Sequence, residues 1–154
     1  MPQSYTPNLV DPKTREDFPT VQEYMARNIV SFSPSMDVYE AVDILIKNRV
    51  SGAPVVDSDG RVVGVLSEKE CLKLLNDSVY HSMPMGSVAD YMTTEFETIS
   101  PEDDIFKAAH SLHDKTRRRM PVVRDGRLVG QISRRDLLFA IQKMKKVEGK
   151  SYSK

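Results

Sequence analysis

"GVLSEKE" at residues 64–70 and "GQISRRD" at residues 130–136 are two versions of one phrase, and the chain around them repeats as well. Val21 and Tyr24-Met25 return as Val88 and Tyr91-Met92, Ser33-Pro34 as Ser100-Pro101, and Ala53-Pro54-Val55-Val56 as Met120-Pro121-Val122-Val123, all 67 residues apart. The turn Asp57-Ser58-Asp59-Gly60 shortens to Arg124-Asp125-Gly126. Beyond it the offset is 66, and Gly64, Ser67 and Glu70 meet Gly130, Ser133 and Asp136. An ordered series with a single gap, placed at a turn, is the mark of one structural unit made twice.

Each copy has a physical reading. Val38, Ala41, Val42 and Leu45, and again Ile105, Ala108, Ala109 and Leu112, recur at helical spacing and predict amphipathic helices. Ser100, Pro101, Glu102 and Asp103 read as the start of the second of these, with a hydroxyl cap and acidic residues near the positive end of the dipole. "APVVDSDGRVVGVLS" and "MPVVRDGRLVGQIS" place β-branched runs around Asp59-Gly60 and Asp125-Gly126, which predicts two hairpins. A closing helix follows each, carrying Cys71, Leu72, Leu74 and Leu75 or Leu137, Leu138, Ile141 and Met144. The unit is therefore strand, helix, strand, strand, helix, an α/β (α+β) arrangement. Units of about 60 residues bury too little surface alone, so the copies are expected to pack together. The expected divisions are an N-terminal extension at 1–20, repeats at 21–78 and 88–143, a linker at 79–87, and a basic tail at 144–154 that frays.

Composition narrows the function. The 154 residues are 40% hydrophobic and 29% charged, with 22 basic and 22 acidic side chains. Zero net charge argues against a protein built to neutralise nucleic-acid phosphates. No apolar run approaches the roughly 20 residues needed to span a bilayer, and the first residues lack the apolar core of a signal peptide, so a cytoplasmic protein is expected. The single cysteine, Cys71, lies in an apolar helical pattern and reads as a small packing residue. His110 and His113, at i and i+3, lack the carboxylate or cysteine company of a metal site. With no nucleophile beside a base and no placed carboxylate pair, no enzyme is expected.

The paired stretches 24–70 and 91–136 resemble the CBS domain, named after cystathionine β-synthase, and two in tandem resemble a CBS pair or Bateman module. The resemblance implies two repeats packed sheet to sheet about a pseudo-twofold axis, with two clefts between them. It also implies an adenosine-containing ligand (AMP, ADP or ATP ahead of S-adenosylmethionine), a role in regulation and energy sensing, a homodimer and an effector protein of unknown identity. The alternative is an adaptor dimer that docks a partner without a ligand.

The family's nucleotide signature runs glycine, apolar, any, serine or threonine, any, any, aspartate. The glycine admits a close backbone, the hydroxyl meets phosphate or ribose, and the carboxylate accepts from the ribose hydroxyls. The same serine and carboxylate also make a capping box. Gly130, Ser133 and Asp136 complete the signature, with Gln131 in its apolar place, whereas the first copy ends in Glu70, one methylene longer. The resemblance accordingly implies a primary ligand cleft of Ser31, Ser33, Val50, Ser51, Arg118, Arg119, Gln131, Ser133, Arg135 and Asp136. Arg119 leads as phosphate ligand, since a guanidinium binds phosphate bidentately. A secondary cleft would hold Ser67, Glu70, Ser100 and Met120. Arg117 and Arg134 read as solvated.

Overall fold

The computed structural model describes residues 18–79, 82–114 and 117–152. Most of the extension expected at 1–20 lies outside them. The elements run α1 (Val21–Tyr24), α2 (Val38–Asn48), β1 (Gly52–Val56), β2 (Val62–Ser67), α3 (Glu68–Cys71), α4 (Lys73–Asp77), α5 (Val88–Tyr91), α6 (Ile105–Asp114), β3 (Arg119–Arg124), β4 (Arg127–Ser133) and α7 (Arg134–Tyr152).

Both hairpins form where their turn residues allow. Gly60 and Gly126 take φ of +83° and +80°, conformations open to glycine at no steric cost. Antiparallel β1–β2 pairs Gly52 with Ser67, and β3–β4 pairs Arg119 with Ser133. The expected first strand of each repeat shrinks to a single parallel bridge, Phe32 to Val55 and Ile99 to Val122. Each such contact takes the carbonyl of a strand proline: Phe32 N–H donates to Pro54 O at 3.0 Å and Ile99 N–H to Pro121 O at 3.1 Å.

The amphipathic helices bury the residues their spacing selects, Val38, Ala41 and Leu45 on α2 and Ile105, Ala108 and Leu112 on α6. Helix α6 starts later than its sequence suggests. Ser100 instead opens a separate turn, its N–H donating to Asp103 Oδ2 at 2.9 Å, and Asp104 Oδ1 accepts from Lys107 N–H at 2.9 Å as the helix begins. The closing helices bury only part of their apolar residues. Leu74, Leu137 and Ala140 turn inward, while Leu72, Leu75, Leu138 and Ile141 are exposed. Helix α7 runs on from the second repeat into the basic stretch, as far as Tyr152.

The cores do not follow the repeats. Val21 and Met25, from the first copy, are buried with Ile99, Ile105, Leu112, Val122 and Ile132 of the second. Val88 and Tyr91, from the second copy, are buried with Phe32, Val38, Leu45, Val55 and Leu66 of the first. Helices α1 and α5 are thus exchanged, and each contributes side chains worth about 1.5–3 kcal/mol apiece when buried to the other repeat's core. The chain after each exchanged helix pairs with its host's second strand. Ala26 and Gln131 exchange two backbone hydrogen bonds at 2.8 and 3.0 Å, and Thr93 and Val65 do the same at 2.9 and 3.0 Å. From there residues 26–32 and 93–99 cross back to their own sheets. At the hairpin tips the copies meet again, through an Arg61–Arg127 bridge and a Leu128 N–H to Gly60 O bond of 3.0 Å.

Candidate functional site

Both signature phrases lie where a strand gives way to a helix, and both close as capping boxes. Glu70 Oε2 accepts from the Ser67 N–H at 3.0 Å and from the Ser67 hydroxyl. Asp136 Oδ2 accepts from the Ser133 N–H at 2.8 Å and its hydroxyl at 2.9 Å, and Ser133 Oγ accepts from Asp136 N–H at 3.1 Å. These caps use one oxygen of each carboxylate and leave Glu70 Oε1 and Asp136 Oδ1 outside them. The signature glycines serve the exchange. A Cβ on Gly64 would sit 2.5 Å from Met92 Sδ and 2.9 Å from Thr93 O, and one on Gly130 would sit 2.7 Å from Ala26 O. The backbone that approaches so closely is the crossing segment of the other repeat.

A cleft of about 540 Å³ opens at the end of β2. Ser51, Val65 and Ser67 to Glu70 come from the first repeat, Thr93 and Glu95 to Glu97 from the crossing segment, and Arg117 to Arg119 with Pro121 from the second. Such a volume is ordinary for a small-molecule site. The backbone sets its walls: Glu68 N–H donates to Ser51 O at 2.8 Å, drawing the helix start against the residue before β1. Arg119 reaches across from β3, donating from Nη1 to Gly52 O at 3.2 Å and from Nη2 to Ser51 Oγ. Burial lowers its pKa, Glu68 opposes that shift and Arg118 adds to it. Arg117 donates from Nη2 to Glu95 O at 2.8 Å, while its Nη1 is buried with no hydrogen-bond partner.

The sequence had distributed these residues differently. Arg118, Arg119 and Ser51 line the cleft that holds Ser67 and Glu70, and Asp136 is not among its walls. The reason is the reach of Arg119, whose guanidinium donates to Gly52 O and Ser51 Oγ of the first repeat. Ser100 and Met120, of the expected secondary cleft, do not line this cavity. Ser100 donates from its hydroxyl to Glu102 Oε2 at 2.5 Å, and Met120 is 3% exposed within the second core. Ser31 and Ser33 are exposed on either side of buried Phe32, and Val50 packs against the first core. Gln131 is held by Ala26, and the exposed Arg135 stacks 5.7 Å over the Phe139 ring. Arg117 is half-buried in the cleft, and Arg134 Nε donates to Leu112 O at 2.9 Å near the end of α6, so neither is a merely solvated charge. Thr93, Glu95, Phe96 and Glu97 went unnamed because only the exchange brings them to β2.

Cys71 is half-buried, and burial together with Glu70 and Glu68 pushes its thiol pKa up, away from nucleophilic chemistry. No cluster of three or more His, Cys, Asp or Glu suited to a metal occurs among the described residues. No helix among them is long and apolar enough to cross a membrane.

The CBS domain family model matches this chain twice, over residues 21–77 and 88–143. The chain belongs to the CBS domain family. Its tandem CBS pair is similar to the uncharacterised protein MJ1225 of Methanocaldococcus jannaschii, 26% identical over 136 residues. That likeness covers 85% of this chain and 48% of MJ1225. A second relative is the A-adding tRNA nucleotidyltransferase of Aquifex aeolicus, 31% identical over 107 residues, 70% of this chain and 12% of that enzyme. The chain thus spans half or less of these curated relatives. Among solved structures, CBSX2 in complex with AMP aligns at a TM-score of 0.73 with 29% identity, covering 82% of this chain and 98% of that one. CBSX2 comes from Arabidopsis thaliana.

Proposed function

We propose that this CBS pair is a regulatory module that binds an adenosine nucleotide in the Glu70 cleft and, through it, controls a partner protein. The observation that carries the reading is the convergence of Ser67 and Glu70 with Arg117, Arg118 and Arg119 on one cavity between the repeats. Glu70 Oε1 is available to ribose hydroxyls beyond the cap, the guanidiniums suit phosphate, and Phe96 with Val65 and Pro121 offers apolar surface to a base. The AMP complex of CBSX2 supports the ligand class. Because the cleft joins both copies, a ligand that prefers one relative arrangement shifts the population toward it, which is how binding becomes a signal. The Asp136 signature stands as a second site.

Isothermal titration with AMP, ADP, ATP and S-adenosylmethionine tests the reading. At least one should bind more tightly than about 1 mM, and Glu70→Ala should weaken binding more than Asp136→Ala. If none binds, the adaptor reading takes its place; if Asp136→Ala is the more damaging, the site belongs to the other signature.

We further propose a homodimer. Leu72 and Leu75 are 58% and 61% exposed, and their repeat-equivalents Leu138 and Ile141 are 60% and 61% exposed. Both closing helices therefore present the same apolar pair outward, a surface suited to a second copy of this chain.

A further inference from the structure

Among the described residues, no carboxylate contact neutralises the charge of the three cleft arginines. Arg117 and Arg119 donate only to uncharged oxygens, of Glu95, Gly52 and Ser51, and Arg117 Nη1 is buried with no acceptor. A desolvated guanidinium nitrogen without an acceptor is destabilising until an anion supplies one. Exposure is graded across the group. Arg119 and Arg117 are half-buried, whereas Arg118 and Lys69, which line the same cleft, are exposed. Positive charge therefore runs from the interior of the cleft to its mouth.

The acidic lining decides what kind of anion profits. Glu68, Glu70, Glu95 and Glu97 border the same space, so its overall field is close to neutral and a distant or single negative charge gains little. Attraction arises where a phosphate oxygen touches a guanidinium or ammonium directly, and it grows with the number of such contacts. The arrangement is confined to one cleft, because Val50, Ser51 and Gly52 occupy the equivalent places of Arg117, Arg118 and Arg119 in the first repeat.

We infer that the Glu70 cleft selects nucleotides with two or three phosphates over the monophosphate. Arg119 and Arg117 hold the phosphate nearest the sugar, and Arg118 with Lys69 hold those at the mouth. This rests on the reading that the cleft binds an adenosine nucleotide.

The test is calorimetric titration of the full chain with adenosine, AMP, ADP and ATP, in low salt without magnesium, repeated on Arg118→Gln/Lys69→Gln. Both substituted side chains are exposed, so an unchanged melting curve serves as the control for folding. ATP should bind at least about tenfold tighter than AMP in the parent chain. Added salt should shrink that ratio, and the double variant should bring it to about threefold or less. AMP binding as tightly as ATP, or an ATP preference unchanged in the variant, overturns the inference while leaving the adenosine-nucleotide reading in place. Failure of all four ligands to bind overturns both.

Discussion

At Gly64 and Gly130 the chain has no room for a side chain. An alanine methyl at Gly64 would press on Met92 Sδ and the Thr93 carbonyl; at Gly130 it would press on Met25 Sδ and the Ala26 carbonyl. The sulfur can swing aside, but the carbonyls are fixed by their bonds to Val65 and Gln131. Gly64→Ala and Gly130→Ala should each lower stability by about 1–3 kcal/mol, read from the midpoint of urea unfolding. A loss of the same size with and without nucleotide is expected if these glycines serve the exchanged segments. An undisturbed fold with lost nucleotide binding would instead mean that the glycines face the ligand. Ser67, Glu70, Ser133 and Asp136 were legible as a motif with two meanings, capping box and ligand site, and the structure displays the first while leaving an oxygen for the second.

At the scale of the element, the closing helices show how far periodicity can be trusted. Leu72, Leu74 and Leu75, like Leu138, Ala140 and Ile141, are apolar around more of the helix than one core can cover. The core takes Leu74 and Ala140 and leaves their neighbours to solvent. Pattern alone named the helices correctly but does not say which of these apolar residues turn inward, because an exposed leucine and a buried one read the same in sequence. Leu138→Glu/Ile141→Glu should convert a dimer into a monomer on size-exclusion chromatography with light scattering, with helix content retained by circular dichroism. A monomeric parent chain would sink the dimer proposal, as would a variant that stays dimeric.

For the whole molecule, the exchange of α1 and α5 makes the two CBS domains one folding unit. A cut in the linker after residue 79 leaves a first fragment whose core lacks Val88 and Tyr91 and a second whose core lacks Val21 and Met25. Neither fragment should unfold cooperatively by itself, and an equimolar mixture should regain a cooperative melt near that of the intact chain. Cooperative melting of residues 18–79 alone would show that the exchanged helix is dispensable. The same exchange builds the cleft, since Thr93 and Glu95 to Glu97 reach β2 only because α5 docks on the first repeat.

What the sequence determined by itself was the unit and its duplication: the hairpins around Asp59-Gly60 and Asp125-Gly126, the inward faces of α2 and α6, and the paired signatures. All of these depend on neighbours a few residues away. What only the tertiary structure decided was which copy each short helix serves and which signature the arginines join. In a 67-residue repeat, Val21 and Val88 are interchangeable letters, so packing at home and packing abroad predict the same pattern. Burial depends on distance in space, and there Arg119 donates to Gly52 and Ser51 of the other repeat.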